Sequence, residues 1–221
     1  ITIVPSLIIL GFFFFSDKFK EPKPTIAIVF ALGCLICFPA GMINDFMYET
    51  FNDGSDFSER LSSSFYSAAW SEELLKFIIL YFIVLRRNEF NEPMDGIVYG
   101  VTVSLGFATF ENYDYVFRWA EEWGIDPYQM AIWRSYSAVP MHGLMGCIMG
   151  FYFGKYAFTA DKKYLVLSLL IPFLLHGFYN FLEYPFHFMI VGIMIVYAII
   201  LHSDLKKLQL KKNKEKEIKK I

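Results

Sequence analysis

The sequence predicts an all-α, polytopic transmembrane bundle of about seven spans. Three observations lead there. Hydrophobic residues make up 56% of the chain and aromatics 19%, with a mean hydropathy of +0.41, too apolar for an ordinary soluble domain. Charged residues collect in short polar breaks and a C-terminal tail, so the formal net charge of -2 says less than its distribution. Lysine and arginine alternate between successive connections in the pattern that sets membrane orientation.

The apolar stretches place spans at 1–15, 25–43, 61–85, 94–117, 128–154, 163–183 and 186–202. Turn or charge signals separate them, such as 18–24 and 86–93, with a tight break at Tyr184-Pro185 between the last two. The chain reads as one domain over 1–202, followed by a basic tail at 203–221. There is no internal repeat and no signal peptide with a charged start and a cleavage site. Because the chain opens at Ile1, already inside an apolar run, its first span is expected to be truncated and the native N-terminus missing.

Lys18, Lys20 and Lys23 follow the first span, Arg86 and Arg87 the third, and Lys155, Lys162 and Lys163 the fifth. The tail adds eight lysines from Lys206 to Lys220. The intervening connections carry only Arg60 and Arg118 among acidic residues. This predicts a cytoplasmic C-terminus and an outside N-terminus in a multi-pass protein of a prokaryotic cell membrane. The lysine tail is expected to lie against anionic lipid, at about 1 kcal/mol per basic residue. Nothing in the charge pattern calls for nucleic acid.

Cys34 and Cys37 have metal or redox spacing, but they sit among Leu35, Ile36 and Phe38 and, like Cys147, are read as core packing. The connection at 44–60 is read as an amphipathic linker on the outer surface. His187 and His202, at span edges, are read as interfacial.

The spans also carry groups that lipid tolerates poorly. The third holds Glu72, Glu73 and Lys76; the fourth, Glu111 and Asn112; the fifth, Arg134 and His142; the sixth, His176 and Asn180. A charge at the centre of a spanning helix costs about 2.5–3.5 kcal/mol on insertion scales, so these side chains must face one another or water. One Glu could pair with Lys76 in a structural ion pair, which leaves the other carboxylates unexplained.

Helical spacing agrees. Ser64, Ala68, Glu72 and Lys76 fall at four-residue steps, as do Gly96, Gly100, Ser104, Ala108 and Asn112. His142, Gly146, Gly150 and Gly154 form a small-residue stripe for close helix approach, and Ser168, Pro172, His176 and Asn180 align on the sixth span. At 1.5 Å per residue, Glu111 and His176 lie about 10 Å from the outer ends of their spans, and Glu72, Glu73 and His142 about 17–20 Å. The zone lies between the outer leaflet and the midplane.

That zone has carboxylates, imidazoles and amide or guanidinium donors, but no evident nucleophile. A Gly-x-Ser-x-Gly loop, a Gly-x-Gly-Asp partner for Tyr113-Asp114, and a His-Glu-x-x-His helix are all absent. What remains is a glutamate that activates water, with or without a metal. His142, His176 and Glu111, from three helices, form a candidate zinc set with an open position.

Four segments, each in its own span, carry a resemblance: Glu72-Glu73-Leu-Leu-Lys76, Phe107-Ala-Thr-Phe-Glu111-Asn112, Pro140-Met-His142-Gly143 and His176-Gly-Phe-Tyr-Asn180. Over residues 61–183 the chain resembles the PrsW family, in the superfamily of type II CAAX prenyl endopeptidases and bacteriocin-immunity proteins. The resemblance implies an intramembrane endopeptidase making the first, outer-side cut in a membrane-bound anti-sigma factor during envelope stress. It implies Glu72 and Glu73 as the essential pair, completed by His142, His176 and Glu111. Asn180 would orient the His176 imidazole or help an oxyanion, and Lys76, Asn112 and Arg134 would support the site. Members of the family have been assigned to both metallo- and glutamic-type classes, so zinc stays open.

A proton- or cation-coupled transporter is the competing reading, since buried Glu, His and Lys also build proton relays. Transporters usually show internal pseudo-repeats, which this chain lacks. A non-catalytic scaffold would not need to retain all four segments.

Overall fold

The computed structural model describes residues 2–183 and 185–218, with side chains up to Lys211. Among these residues there are helices and no strand. α1 (Val4–Ser16), α2 (Lys23–Leu35) and α3 (Cys37–Phe51) are followed by the short α4 (Asp56–Leu61), a π-helical segment (Ser62–Ala69) and α5 (Trp70–Ile79). A second π-helical segment (Leu80–Val84) ends that span. α6 (Pro93–Asp114) runs through a third (Tyr115–Trp119) into α7 (Ala120–Glu122). Then come α8 (Pro127–Tyr136), α9 (Ala138–Thr159), α10 (Lys162–Phe181) and α11 (His187–Ile218).

Local sequence explains the starts. Proline occupies the first turn of α1, α2, α6 and α8, where its missing N–H costs nothing. Ser55, Asp126 and Asp161 cap α4, α8 and α10 through their side chains, and Glu92 with Asp95 forms a capping box on α6.

Among the described residues, three helices are long and apolar enough to cross a membrane by length and composition: Lys23–Phe51, Lys162–Phe181 and His187–Lys211. α6 and α9, at 22 residues each, reach about 33 Å, also enough to cross, but glycine and polar residues dilute their apolar content. The chain is an all-α membrane bundle.

The structure departs from the sequence reading in several places. The expected span 128–154 is broken at Ser137, whose φ of -117° and ψ of -82° are not helical. Pro140 accounts for this: it has no N–H to donate, and its ring would collide with the carbonyl of Tyr136 in a continuous helix. His142 is therefore one turn inside a helix that begins at Ala138, not deep within one that begins near 128. Much of the expected linker 44–60 is helical, since α3 extends to Phe51 and α4 opens at Asp56. α11 does not stop at 202 but continues to Ile218. Tyr184 of the expected break, and the tail lysines beyond Lys211 as side chains, lie outside the described residues.

α6 and α9 form the most extensively packed pair, and their glycine stripes are the reason. A Cβ added at Gly150 would lie 2.0 Å from the Gly96 carbonyl oxygen, and one at Gly100 2.3 Å from that of Gly146. Backbone meets backbone, with no room for a side chain. α2 crosses α6 the same way, because a Cβ on Gly33 would fall 2.2 Å from the Val103 carbonyl oxygen. The thiols of Cys34 and Cys37 donate to the carbonyls of Gly106 and Phe107 at 3.1 and 3.4 Å, in keeping with a packing role. His202 packs on Phe12 and Phe13 and bonds Ser16 at 2.9 Å.

Two contacts link connections that are distant in sequence. Arg60 pairs with Glu183 at 2.6 Å, joining two connections expected outside. Asp17 bonds Gln209 at 2.7 Å, joining two segments expected inside.

Candidate active site

α5 carries Glu72, Glu73 and Lys76 on the face it turns into the bundle, along with buried Ser71 and Ile79. It lies between two π-helical segments, a local geometry that recurs at functional sites. Because the π-helix widens the turn, the stripe expected through Ser64 and Ala68 is displaced: Ser64, Ser67 and Ala69 are buried, and Ala68 is only half-buried. Ser67 and Ser71 fasten this helix to Asn44 of α3, by a 3.0 Å bond to its carbonyl and by a bond between the Ser71 hydroxyl and the Asn44 amide.

The centre is Lys76, fully buried, with Nζ 2.7 Å from Glu73 Oε1, 3.1 Å from His142 Nδ1 and 3.7 Å from Glu72 Oε2. Its ammonium stands 4.4 Å above the Phe107 ring. An ammonium can only donate, so Nδ1 of His142 accepts and the ring proton sits on Nε2. That proton points to Glu111 Oε2 at 3.1 Å. Glu111 in turn meets Arg134 at 2.5 Å. Arg134 also donates from Nε to Asn112 at 3.1 Å and lies 3.8 Å above the Tyr115 ring. Asn112 itself donates to the Thr2 carbonyl at 2.9 Å.

On the other side, Glu73 Oε1 accepts a second bond, 2.9 Å long, from His176 Nδ1. Donation through Nδ1 leaves the His176 Nε2 lone pair uncommitted, 4.0 Å from Glu72 Oε2. A continuous polar chain thus runs His176–Glu73–Lys76–His142–Glu111–Arg134 across α10, α5, α9, α6 and α8. Glu72 stands beside it. Its Oε2 and the Oε2 of Glu73 are buried without a hydrogen-bond partner.

Of the residues singled out in the sequence, the structure brings together Glu72, Glu73, Lys76, Glu111, Asn112, Arg134, His142 and His176. Asn180 is not among them. It is exposed, and among the described residues no hydrogen bond joins it to His176; Glu73 holds that imidazole instead. Four residues further along α10 is one full turn farther from the cluster, so sharing a face does not bring it to the same level. Asn44 and Tyr115 were not singled out. Tyr115 sits four residues beyond Glu111, a helical neighbour that the spacing could have flagged.

The expected metal trio of His142, His176 and Glu111 is not the one that closes. Within 4.8 Å the structure gathers Glu72, Glu111 and His142 as one group and Glu72, Glu73 and His176 as another, with Glu72 in both. His142 spends both ring nitrogens on Lys76 and Glu111, which leaves it no lone pair for a metal. Glu72 Oε2 and His176 Nε2, each without a hydrogen bond, do fit one. The Glu73–His176 bond is then the carboxylate–imidazole support common around metal-bound histidines.

Residues 21–202 match the model of the PrsW family intramembrane metalloproteases. The chain belongs to the PrsW family. The protein called Protease PrsW in Bacillus subtilis is 41% identical over 185 residues, covering 81% of this chain and 79% of its own length. Its counterpart in Geobacillus kaustophilus is 39% identical over 183 residues, covering 81% and 76%. That of Clostridioides difficile is 31% identical over 224 residues, covering 99% and 92%. No solved structure matches the chain. This PrsW-family chain is therefore an intramembrane protease, and the α5–α6–α9–α10 cluster is its candidate centre.

Proposed function

We propose that this protease hydrolyses a peptide bond of a single-span membrane protein near the outer face, with Glu72 as the group that takes the proton from the attacking water. One observation carries the assignment. Glu73 and Glu111 each accept hydrogen bonds from two neighbours, while Glu72 Oε2 accepts none, standing 3.7 Å from Lys76 Nζ and 4.0 Å from the free Nε2 of His176. A water between Glu72 Oε2 and His176 Nε2 would be polarised by a carboxylate on one side and accepted by an imidazole on the other. A positioned base of this kind supplies roughly 10²–10⁴ in rate, and the same carboxyl can return the proton to the leaving amine.

The remaining residues hold this geometry. Glu73 fixes the His176 ring through Nδ1, and Lys76 keeps Glu73 in place while setting a positive charge against the negative charge that develops on the substrate. His142 passes the same chain to Glu111, which Arg134 anchors from α8. If a divalent metal is present, Glu72 and His176 would hold it, with Glu73 the carboxylate that lies within 4.8 Å of both. Such an ion supplies Lewis-acid polarisation and an acidified water.

An apolar face next to the site supports a membrane-embedded substrate. Between α5 and α10 lies an apolar groove of ≈ 360 Å³, lined by Trp70, Phe77, Leu165, Leu169 and Phe173 among others. Phe173 is one turn from His176 on α10. An anti-sigma factor is the substrate that family resemblance favours. Positive charge on alternate connections favours a bacterial cytoplasmic membrane with the C-terminus inside, and anionic lipid against the basic end of α11.

The test is reconstitution in vesicles with a single-span anti-sigma factor as substrate and mapping of the products by mass spectrometry. The expected result is one cut on the outer side of the substrate's span. No cut, or a cut only on the cytoplasmic side, would overturn the proposal.

A further inference from the structure

Away from the protease cluster, where the α1–α2 connection meets the start of α6 and the C-terminal half of α11, the bundle buries a second group of acids. Asp17 is 2% exposed, Glu21 5%, Glu92 2% and Asp95 0%. Among the described residues no ion pair reaches Asp17, Glu21 or Asp95. Burying carboxylates without a counter-charge costs several kcal/mol each, so something must offset them.

The hydrogen bonds divide each carboxylate into a held oxygen and a free one. Asp17 Oδ1 accepts from Gln209 Nε2 at 2.7 Å and from the Phe19 N–H at 3.0 Å. Asp95 Oδ2 accepts from the N–H groups of Asn91 and Glu92 at 2.7 and 2.8 Å. The other oxygens, Asp17 Oδ2 and Asp95 Oδ1, are buried with no partner. Tyr99 donates to Glu21 Oε2, fixing the third acid. One oxygen from each of Asp17, Glu21 and Asp95 lies within 4.8 Å of the others. Gln209, the partner of Asp17, also lines a small cavity of ≈ 50 Å³ together with Glu92, with room for about one water.

We propose that Asp17, Glu21 and Asp95 bind a hard divalent cation of the calcium or magnesium class, at a site separate from the protease cluster. The donor set is oxygen only, with no imidazole or thiolate, which disfavours zinc and suits hard ions completed by water. The bound ion ties the α1–α2 connection to α6, and Gln209 extends the tie to α11. Burial raises the Glu21 carboxyl above its ordinary value, against the Tyr99 bond, so a proton competes with the cation for this acid.

The experiment uses the full chain in detergent, carrying Glu72→Gln and His176→Ala so that ion binding at the protease cluster does not contribute. After chelator treatment, its Tm is measured with calcium, magnesium or manganese, and bound ion is measured by equilibrium dialysis. The expected result is a rise of several degrees with at least one of the three, at about one ion per chain, with both lost in Asp17→Asn and in Asp95→Asn. Should Asp95→Asn fail to fold, Asp17→Asn decides alone, because its position lies in a connection. No rise with any ion, or the same rise and stoichiometry in Asp17→Asn, overturns the proposal. Stabilisation by Asp17→Asn without any ion dependence also overturns it, and assigns the cluster to a shared proton.

Discussion

His176 Nδ1 lies 2.9 Å from Glu73 Oε1, a bond between α10 and α5 that spans 103 residues of sequence. The same oxygen accepts from Lys76 at 2.7 Å. Glu73 is thereby committed to holding two neighbours, and the proposed base is the adjacent Glu72. Two glutamates next to each other in sequence acquire different partners because helical geometry aims them 100° apart.

Glu73→Gln should therefore damage the fold as well as the activity. Removing its charge leaves Lys76 buried with only Glu72 as a distant counter-ion. Breaking a buried pair from one side costs roughly 3–5 kcal/mol. Thermal unfolding in detergent should fall markedly for Glu73→Gln, and a Tm equal to that of the wild type would show that the pair carries no such weight.

Asn180→Ala should leave cleavage within about twofold of the wild type, as expected for an exposed side chain away from the site. The resemblance gives this asparagine a role that its position on α10 does not support. A steady-state assay in vesicles measures it directly.

Metal retention should depend on Glu72 and His176 and not on His142. Elemental analysis of the purified protein should show bound metal reduced in Glu72→Gln and His176→Ala. It should be kept in His142→Ala, because both nitrogens of that ring are already engaged. Loss in His142→Ala alone would contradict the ligand assignment.

Most of the bundle was legible in the sequence because lipid imposes a simple rule: apolar runs span, and charges inside them must converge. The Gly96, Gly100, Gly146 and Gly150 stripes were readable as close packing, since four-residue steps place them on one face, and that is where α6 and α9 touch. The break at Ser137 was missed because hydropathy does not register Pro140 near a helix start. The displaced face at Ala68 was missed because spacing arguments assume 3.6 residues per turn, and Ser62–Ala69 is π-helical. Within the site, residue types and helices could be named in advance, but not partners. Whether Lys76 pairs with Glu72 or Glu73, and whether His142 or His176 keeps a free nitrogen, depends on side-chain positions that sequence order leaves open. Asn180 failed for a related reason: a shared face says nothing of depth.

The most direct test of the central claim is the rate at which Glu72→Gln cleaves a single-span substrate in vesicles, measured alongside its unfolding temperature. Because Glu72 Oε2 has no hydrogen-bond partner, the substitution should leave Tm near the wild-type value. Cleavage should fall by roughly 10²–10⁴, the usual contribution of a positioned general base. Cleavage by Glu72→Gln within a few-fold of the wild type would contradict the account.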